Sequence, residues 1–134
     1  MPSPVLFKFT IYTIAHDEKL AKAATADGAT HFSELKAWKS GYRLWRAAKT
    51  TSATMPIVFA DATDCSRLRY WGYLTRVKIE GDITRYSVKR LRKILGRHTP
   101  QELSLRSTGK HIAEGFIRPY AICRTPSFLG GTLR

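Results

Sequence analysis

Residues 69–86 read RYWGYLTRVKIEGDITRY, and this stretch decides the predicted fold. Polar and apolar side chains alternate over residues 69–79, which is typical of a β-strand. One predicted face carries Tyr70, Gly72, Leu74, Arg76 and Lys78, and the other carries Trp71, Tyr73, Thr75, Val77 and Ile79. Gly81 and Asp82 suit a tight turn, and residues 83–86 supply a second strand. The stretch therefore predicts a β-hairpin.

The flanking sequence on the N-terminal side predicts strands and short helices. Residues 6–14 alternate as a first strand, and residues 17–28 are good helix formers that end at a glycine. A second short helix is expected over residues 31–39, ending before Gly41. Residues 42–45 suggest a short strand, and residues 57–60 form a compact apolar strand.

The C-terminal side predicts more helix than strand. Ser87 is a suitable cap for a helix over residues 88–95, whose buried stripe consists of Val88, Leu91 and Leu95. Residues 99–102 read TPQE, which predicts a capped helical turn, and residues 110–116 predict another short helix. Residues 120–123 are the last strand.

Together these elements predict an α+β fold with a small, twisted, barrel-like and mostly antiparallel sheet and short helices. We expect one domain over residues 1–129, followed by a flexible tail over residues 130–134, because the chain has only 134 residues.

Positive charge is concentrated in the second half of the chain. Residues 1–64 carry 8 Lys/Arg and 6 Asp/Glu, whereas residues 65–134 carry 15 Lys/Arg and 4 Asp/Glu, a net charge of +11. Such a field attracts polyanions, and arginine adds planar donors that match phosphates. The charge therefore predicts a nucleic-acid partner.

Eight cations are the candidate nucleic-acid-binding residues: Arg67, Arg69, Arg85, Lys89, Arg90, Arg92, Lys93 and Arg97. Most of them lie on or beside the helix predicted for residues 88–95, which would concentrate them on one surface. A solvated face that only keeps the protein soluble is the alternative interpretation. Neither Asn nor Gln accompanies these cations, so phosphate contact is expected more than base reading.

Aromatic residues suggest a pocket for a base. Trp45, Asp61 and Trp71 are the candidates, since a base stacks on a flat ring and a carboxylate accepts from its amine. Core packing of each tryptophan, and a turn-capping role for Asp61, are the competing interpretations.

The segments KSGYRLWRAA (39–48), MPIVFADATDCSRLRYWGYLTRVKI (55–79) and RPYAICRTPSFL (118–129) resemble the PUA-like superfamily, above all its EVE and YTH branches. The resemblance places Gly41 before a strand and Trp71-Gly72 where a strand restarts. It implies RNA or DNA binding, with a modified base held in an aromatic pocket in several members. The GxKxxExR signature of the ASCH branch is missing, so its activity is not expected.

Other functions are alternatives or are excluded. A small metal-independent ribonuclease is possible with His98 and His111 as general acid and base, and a basic protein-interaction subunit is the third class. Neither a P-loop nor a GxGxxG turn occurs. We expect binding rather than catalysis, with neither a cofactor nor a metal.

Cys65 and Cys123 stand alone, which predicts free thiols and a cytoplasmic location. No run approaches the roughly 20 apolar residues of a membrane span, so a membrane partner is not expected. The oligomeric state and the choice between RNA and DNA stay open.

Overall fold

The computed structural model describes residues 5–113 and 120–130. In chain order its strands and helices are β1 (Phe9–Ala15), α1 (Asp17–Ala24), β2 (Thr30–Glu34), α2 (Lys39–Thr50), β3 (Pro56–Asp61), β4 (Asp64–Glu80), β5 (Ile83–Lys93) and β6 (Tyr120–Arg124). Two 3₁₀ turns, Pro100–Glu102 and Ser127–Leu129, lie on either side of β6 in the sequence. The α+β class is confirmed.

All six strands belong to one sheet, in the order β2-β5-β4-β3-β1-β6. Only β1 and β3 pair in parallel, so the sheet is mostly antiparallel, as expected. The predicted barrel is wrong, because β2 and β6 are the two ends of this order and do not pair with each other in the described residues. Residues 104–106 bond to the outer side of β6 instead, through Arg106 N to Ile122 O and Arg124 N to Ser104 O, both 2.9 Å.

The sheet separates two hydrophobic cores. On one side α1 and α2 cover Ile11, Phe59 and Leu74, with Leu20 of α1 and Ala48 of α2 fully buried against the sheet. The other side carries no α-helix in the described residues. There, residues from the segment after β5 and from the second 3₁₀ turn, including Ile94, Leu103, Ile112 and Leu129, pack on Val58, Ala60, Leu68 and Trp71.

Each of two β-bulges adds one residue to its strand. Side chains beyond the bulge therefore lie on the opposite face from the one that strict alternation predicts. In β4 the register with β5 shifts between Leu74 and Arg76, so Thr75 is an extra residue. Tyr70, Leu74 and Val77 consequently share the helix-covered core, while Arg76 and Lys78 lie on the opposite face. The predicted alternation over residues 69–79 therefore holds only as far as Leu74.

The helix predicted for residues 88–95 is wrong, since residues 83–93 are one strand. A second bulge lies opposite Gly72, where Arg90 has a φ of +53°. The extra residue lets Val88 and Leu91 both enter the helix-covered core at a spacing of three, which imitates a helix. Leu95 is 86% exposed and belongs to no buried stripe.

Three other expectations need correction. Residues 30–34 form β2 where a helix was expected, and α2 contains residues 42–45, where a strand was expected. Gly41 lies inside α2, where a Cβ would come within 3.1 Å of Ile11 Cδ1, so it lets the helix approach the sheet. Residues 110–113 are not helical, and the rest of the helix predicted there, residues 114–116, lies outside the described residues.

Several local predictions are confirmed. These are the first strand, α1, the strand over residues 57–60, the hairpin turn at Gly81 and the last strand. The TPQE segment is a 3₁₀ turn with a complete capping box, because Thr99 N donates to Glu102 Oε2 at 2.6 Å.

Candidate nucleic-acid interface

Five cations share the side of β4 and β5 that faces away from the helices. We call this surface the open basic face, and it consists of Arg76, Lys78, Arg85, Lys89 and Arg92. The register places Lys78 opposite Arg85, and Lys89 opposite Tyr73. All five cations are exposed. A long hairpin therefore presents its cations on one surface, as phosphate binding requires.

The face is open because the second core covers only part of the sheet. That core packs on β6, β1, β3 and the first half of β4, ending at Trp71 and Tyr73. Beyond Tyr73 lies a shallow pocket of about 310 Å³ between β2 and the hairpin. Its lining residues are His31, Phe32, Arg76, Lys78, Glu80, Arg85, Tyr86 and Ser87. The neighbouring β2 thus extends the same exposed surface.

Charge on the face is only partly neutralised. Glu80 lies 3.4 Å from Lys78 Nζ and 3.5 Å from Arg85 Nε, and these pairs are exposed. In the part of the chain that the structure describes, Arg76, Lys89 and Arg92 have no carboxylate within ion-pair distance. These three cations are available to an anionic partner.

Arg92 is held by aromatic rings. Its guanidinium carbon lies 4.5 Å from the centre of the Trp71 ring and 5.0 Å from that of Tyr73. Its Nε also donates to the carbonyl oxygen of Arg90 at 3.2 Å. Stacking leaves donors at the edge of a guanidinium free, so Arg92 is a positioned cation at one end of the face.

The eight predicted cations lie in different places. Arg85, Lys89 and Arg92 belong to the open basic face. Arg67, Arg69 and Lys93 line a separate small pocket. Arg90 occupies the bulge, and Arg97 is exposed in the segment after β5. The expected single basic helix is thus replaced by a basic strand with cations on both sides of it.

Three residues of this surface were missed by the sequence analysis: His31, Arg76 and Lys78. Strict alternation placed Arg76 and Lys78 with Tyr70 and Leu74, on what became a buried face. Without that assignment, the two cations that alternate with other side chains over residues 75–79 would have indicated an exposed strand face. His31 was missed because β2 was predicted as a helix.

The structure does not bring the expected base pocket together. Trp45 packs from α2 into the helix-covered core, whereas Trp71 belongs to the core on the other side of the sheet. Only 9% of Trp45 and 7% of Trp71 is exposed. A pocket that uses both rings is therefore wrong, because the sheet lies between them.

Asp61 has a local structural role. Its Oδ1 accepts from the backbone N–H of Asp17 at 3.1 Å, at the start of α1, and Thr63 bonds both carboxylate oxygens. The hydrogen bond from the Thr63 hydroxyl is the main reason that the pKa of Asp61 is lowered. This carboxylate caps a turn and a helix, and it does not lie with either tryptophan in one pocket.

The two candidate catalytic histidines contact the same 3₁₀ turn, Pro100–Glu102. His98 Nδ1 lies 2.9 Å from Glu102 Oε1, and the His98 ring stacks on Phe128 at 3.8 Å. His111 Nδ1 lies 2.8 Å from the carbonyl oxygen of Gln101. Each ring is therefore anchored through Nδ1, and a neutral His111 presents Nε2 as an acceptor.

Other sites are less suited to a polyanion. A larger cavity of about 560 Å³ is lined by Ser40 and by residues 105–108 and 120–122, with Arg106 as its charged side chain. That guanidinium already lies 5.1 Å from the Phe9 ring centre. Within residues 5–113 and 120–130, no three His, Cys, Asp or Glu side chains gather as metal ligands, and no helix is long and apolar enough to cross a membrane.

Comparison of the chain with models of protein families, with curated proteins and with solved structures found no match.

Proposed function

We propose that the protein is a non-catalytic nucleic-acid-binding protein that contacts phosphates through its open basic face. One observation carries the proposal: the exposed side of the β4–β5 hairpin presents five cations and one carboxylate, Glu80. Because alternate residues of a strand are about 6.8 Å apart, these cations form a row and not a point charge. A row of cations suits a linear polyanion.

The chemistry of the surface favours binding with little sequence preference. The whole chain contains no Asn, and its single Gln, Gln101, lies in the first 3₁₀ turn and not on β4 or β5. The open basic face therefore carries no amide side chain of the kind that reads adenine. Arg92, the cation nearest the aromatic rings, already covers Trp71 and Tyr73. Affinity should therefore come from phosphates and fall steeply with salt.

The resemblance to PUA-like domains supports the same class of ligand, since members of that superfamily typically bind RNA or DNA. The aromatic cage of some members is not part of the proposal, because Trp45 and Trp71 lie on opposite sides of the sheet. An exposed free cysteine, Cys65, fits a reducing compartment, and we propose the cytoplasm.

The test is fluorescence anisotropy with matched single- and double-stranded RNA and DNA across a salt series. The variant R76Q/K89Q/R92Q neutralises the three unpaired cations. It should make the negative slope of log K against log salt shallower by about 3. The matched control K22Q/K39Q/K49Q removes the same charge from α1 and α2 and should change the slope far less. Equal losses in both variants, or no binding at low salt, would contradict the proposal.

A second candidate function, a metal-independent ribonuclease, is favoured by the anchoring of His98 and His111 on one 3₁₀ turn. Nε2 of His111 would take the proton from a ribose 2′-hydroxyl as that oxygen attacks phosphorus. Protonated His98 would give a proton to the departing 5′-oxygen. RNA cleavage that is lost in both H98A and H111A would establish this activity, and parental rates in either variant would exclude that residue's role.

A further inference from the structure

A small basic pocket lies where the first half of β4 meets the end of β5, apart from the open basic face. Its volume is about 130 Å³, and it is lined by Arg67, Leu68, Arg69, Tyr70, Lys93 and Ile94. Tyr70 is paired directly with Lys93, and Ile94 N donates to Arg69 O at 2.9 Å, so the backbone fixes both walls. Leu68, Tyr70 and Ile94 are buried, so the positions of these lining residues are fixed by the core.

The pocket has the volume of a small oxyanion. One water molecule occupies about 30 Å³ in the liquid, so the space corresponds to about four waters. That is enough for a tetrahedral group with four oxygens and far below the 300 Å³ or more that a drug-sized ligand fills. A nucleoside is therefore too large, whereas a phosphate group fits.

Positive side chains of the pocket lack an acceptor among the described residues. Nε of Arg67 is buried and has no hydrogen-bond partner among the described residues. Buried donors are nearly always bonded, so an acceptor belongs beside this N–H. Neither Arg67 nor Lys93 has a carboxylate within ion-pair distance in the described chain. An oxyanion in the pocket would offset the charges of both side chains.

Arg69 is fixed and partly neutralised. Its Nη2 lies 3.4 Å from Asp17 Oδ1, and both side chains are about one-third exposed, at 34% and 39%. Hydrogen bonds from Thr63 and Ser66 are the main reason that the pKa values of Asp61 and Asp64 are lowered, and the charge of Arg69 contributes to both shifts. Arg67 and Lys93 therefore supply the two unpaired positive charges of the pocket.

We propose that this pocket binds a terminal phosphate of the nucleic acid that lies on the open basic face; the inference rests on the proposed function. A terminal phosphate carries a charge of about −1.5 to −2 near neutral pH, which matches two free cations. It also has one ester substituent, whereas an internal phosphodiester has two and therefore presents fewer free oxygens to the pocket. Arg92 and Lys93 lie on opposite faces of the sheet, since each follows its partner, Trp71 or Tyr70. A bound strand would therefore pass around the edge of β5, which β2 pairs only as far as Val88.

The experiment compares oligonucleotides that differ only in a 5′-phosphate or 5′-hydroxyl, and a second pair that differs at the 3′ end. We expect one end to give about tenfold tighter binding when phosphorylated, the size of one charge-assisted hydrogen bond. R67Q/K93Q should abolish that preference, so that the phosphorylated and the hydroxyl-ended strand bind equally tightly. R76Q/K78Q should weaken both strands equally and keep the preference.

The outcomes separate the two proposals. If the strands bind through the open basic face without any preference for a terminal phosphate, the pocket proposal is wrong and the proposed function stands. If no strand binds, the proposed function fails, and thermal unfolding with inorganic phosphate decides about the pocket. Stabilisation of the parental chain but not of R67Q/K93Q would support an oxyanion site, and no stabilisation would overturn it. R67K, which keeps the charge but lacks the planar guanidinium donors, should lose most of the preference while it stays folded.

Discussion

Gly72 of β4 and Val88 of β5 approach each other so closely that a Cβ at position 72 would lie 2.6 Å from Val88 Cγ1. The same Cβ would lie 3.0 Å from the carbonyl oxygen of Lys89 and 3.2 Å from the Cα of Leu91. The bulge at Arg90 lies opposite Gly72, where the backbone of β5 comes this close. A glycine is therefore needed at this point for the hairpin to direct Val88 and Leu91 inward while its cations stay outside.

Substitution of Gly72 by alanine should destabilise the protein by about 1–3 kcal/mol, since two of the three close neighbours are backbone atoms that cannot move aside. Urea unfolding measures this loss. The double variant G72A/V88A should lose less than the sum of the two single variants, because removal of Cγ1 relieves the closest contact. Strict additivity would show that the two residues do not clash.

Thr84 connects the hairpin to the segment before α2. Its buried hydroxyl accepts from the N–H of Trp38 at 2.8 Å and donates to the carbonyl oxygen of Lys36 at 2.6 Å. Thr84→Val preserves the shape but leaves both backbone groups without this partner, so we expect a loss of about 1–3 kcal/mol. Thr84→Ser keeps the hydroxyl and is the matched control. Equal stability of the Val and Ser variants would contradict the role of the hydroxyl.

Glu34 at the end of β2 should make stability depend on pH. Burial raises the pKa of its carboxyl from 4.5 to about 6. The folded state therefore binds the proton more tightly than the unfolded state, and stability is lost as pH rises through that interval. Glu34→Gln should be more stable than the parent at about pH 7, with the difference shrinking toward about pH 4. Thermal melts over this pH range test the difference in stability. Glu18→Gln, which removes an exposed carboxylate from α1, is the control.

Arg92 should contribute to both packing and binding. In Arg92→Ala the rings of Trp71 and Tyr73 lose the guanidinium that lies 4.5 and 5.0 Å from their centres. We expect a red shift of tryptophan emission and a salt slope of nucleic-acid binding lower by about 0.9. Lys22→Ala, on the helix side of the sheet, should leave both unchanged. An unaltered slope in Arg92→Ala would remove this residue from the interface.

Elements that depend only on residues close in sequence could be predicted from the sequence. Gly81 adopts the left-handed conformation, with a φ of +60°, that the hairpin turn required. Thr99 and Glu102 close the capping box that the TPQE segment predicted. Such features depend on neighbours within about four residues, so they can be predicted from sequence.

The spacing of apolar and charged side chains led to a wrong prediction where the strand contains a bulge. Val88 and Leu91 are three apart and both buried, a spacing that favours a helix in sequence, yet an extra residue at Arg90 produces it within a strand. The bulge at Thr75 likewise moved Arg76 and Lys78 to the exposed face. The candidate site was consequently predicted on the correct segment but with the wrong geometry and without two of its cations.

The sequence by itself determined the excess of positive charge, the hairpin turn at Gly81 and the residues of the other tight turns, since each depends on composition or on near neighbours. Only the tertiary structure decided which cations share a surface and that Trp45 and Trp71 are separated. The reason is that the face of the sheet on which a side chain lies depends on the register between strands. Register depends on the close approach of Gly72 to Val88, a contact between residues 16 positions apart in the sequence.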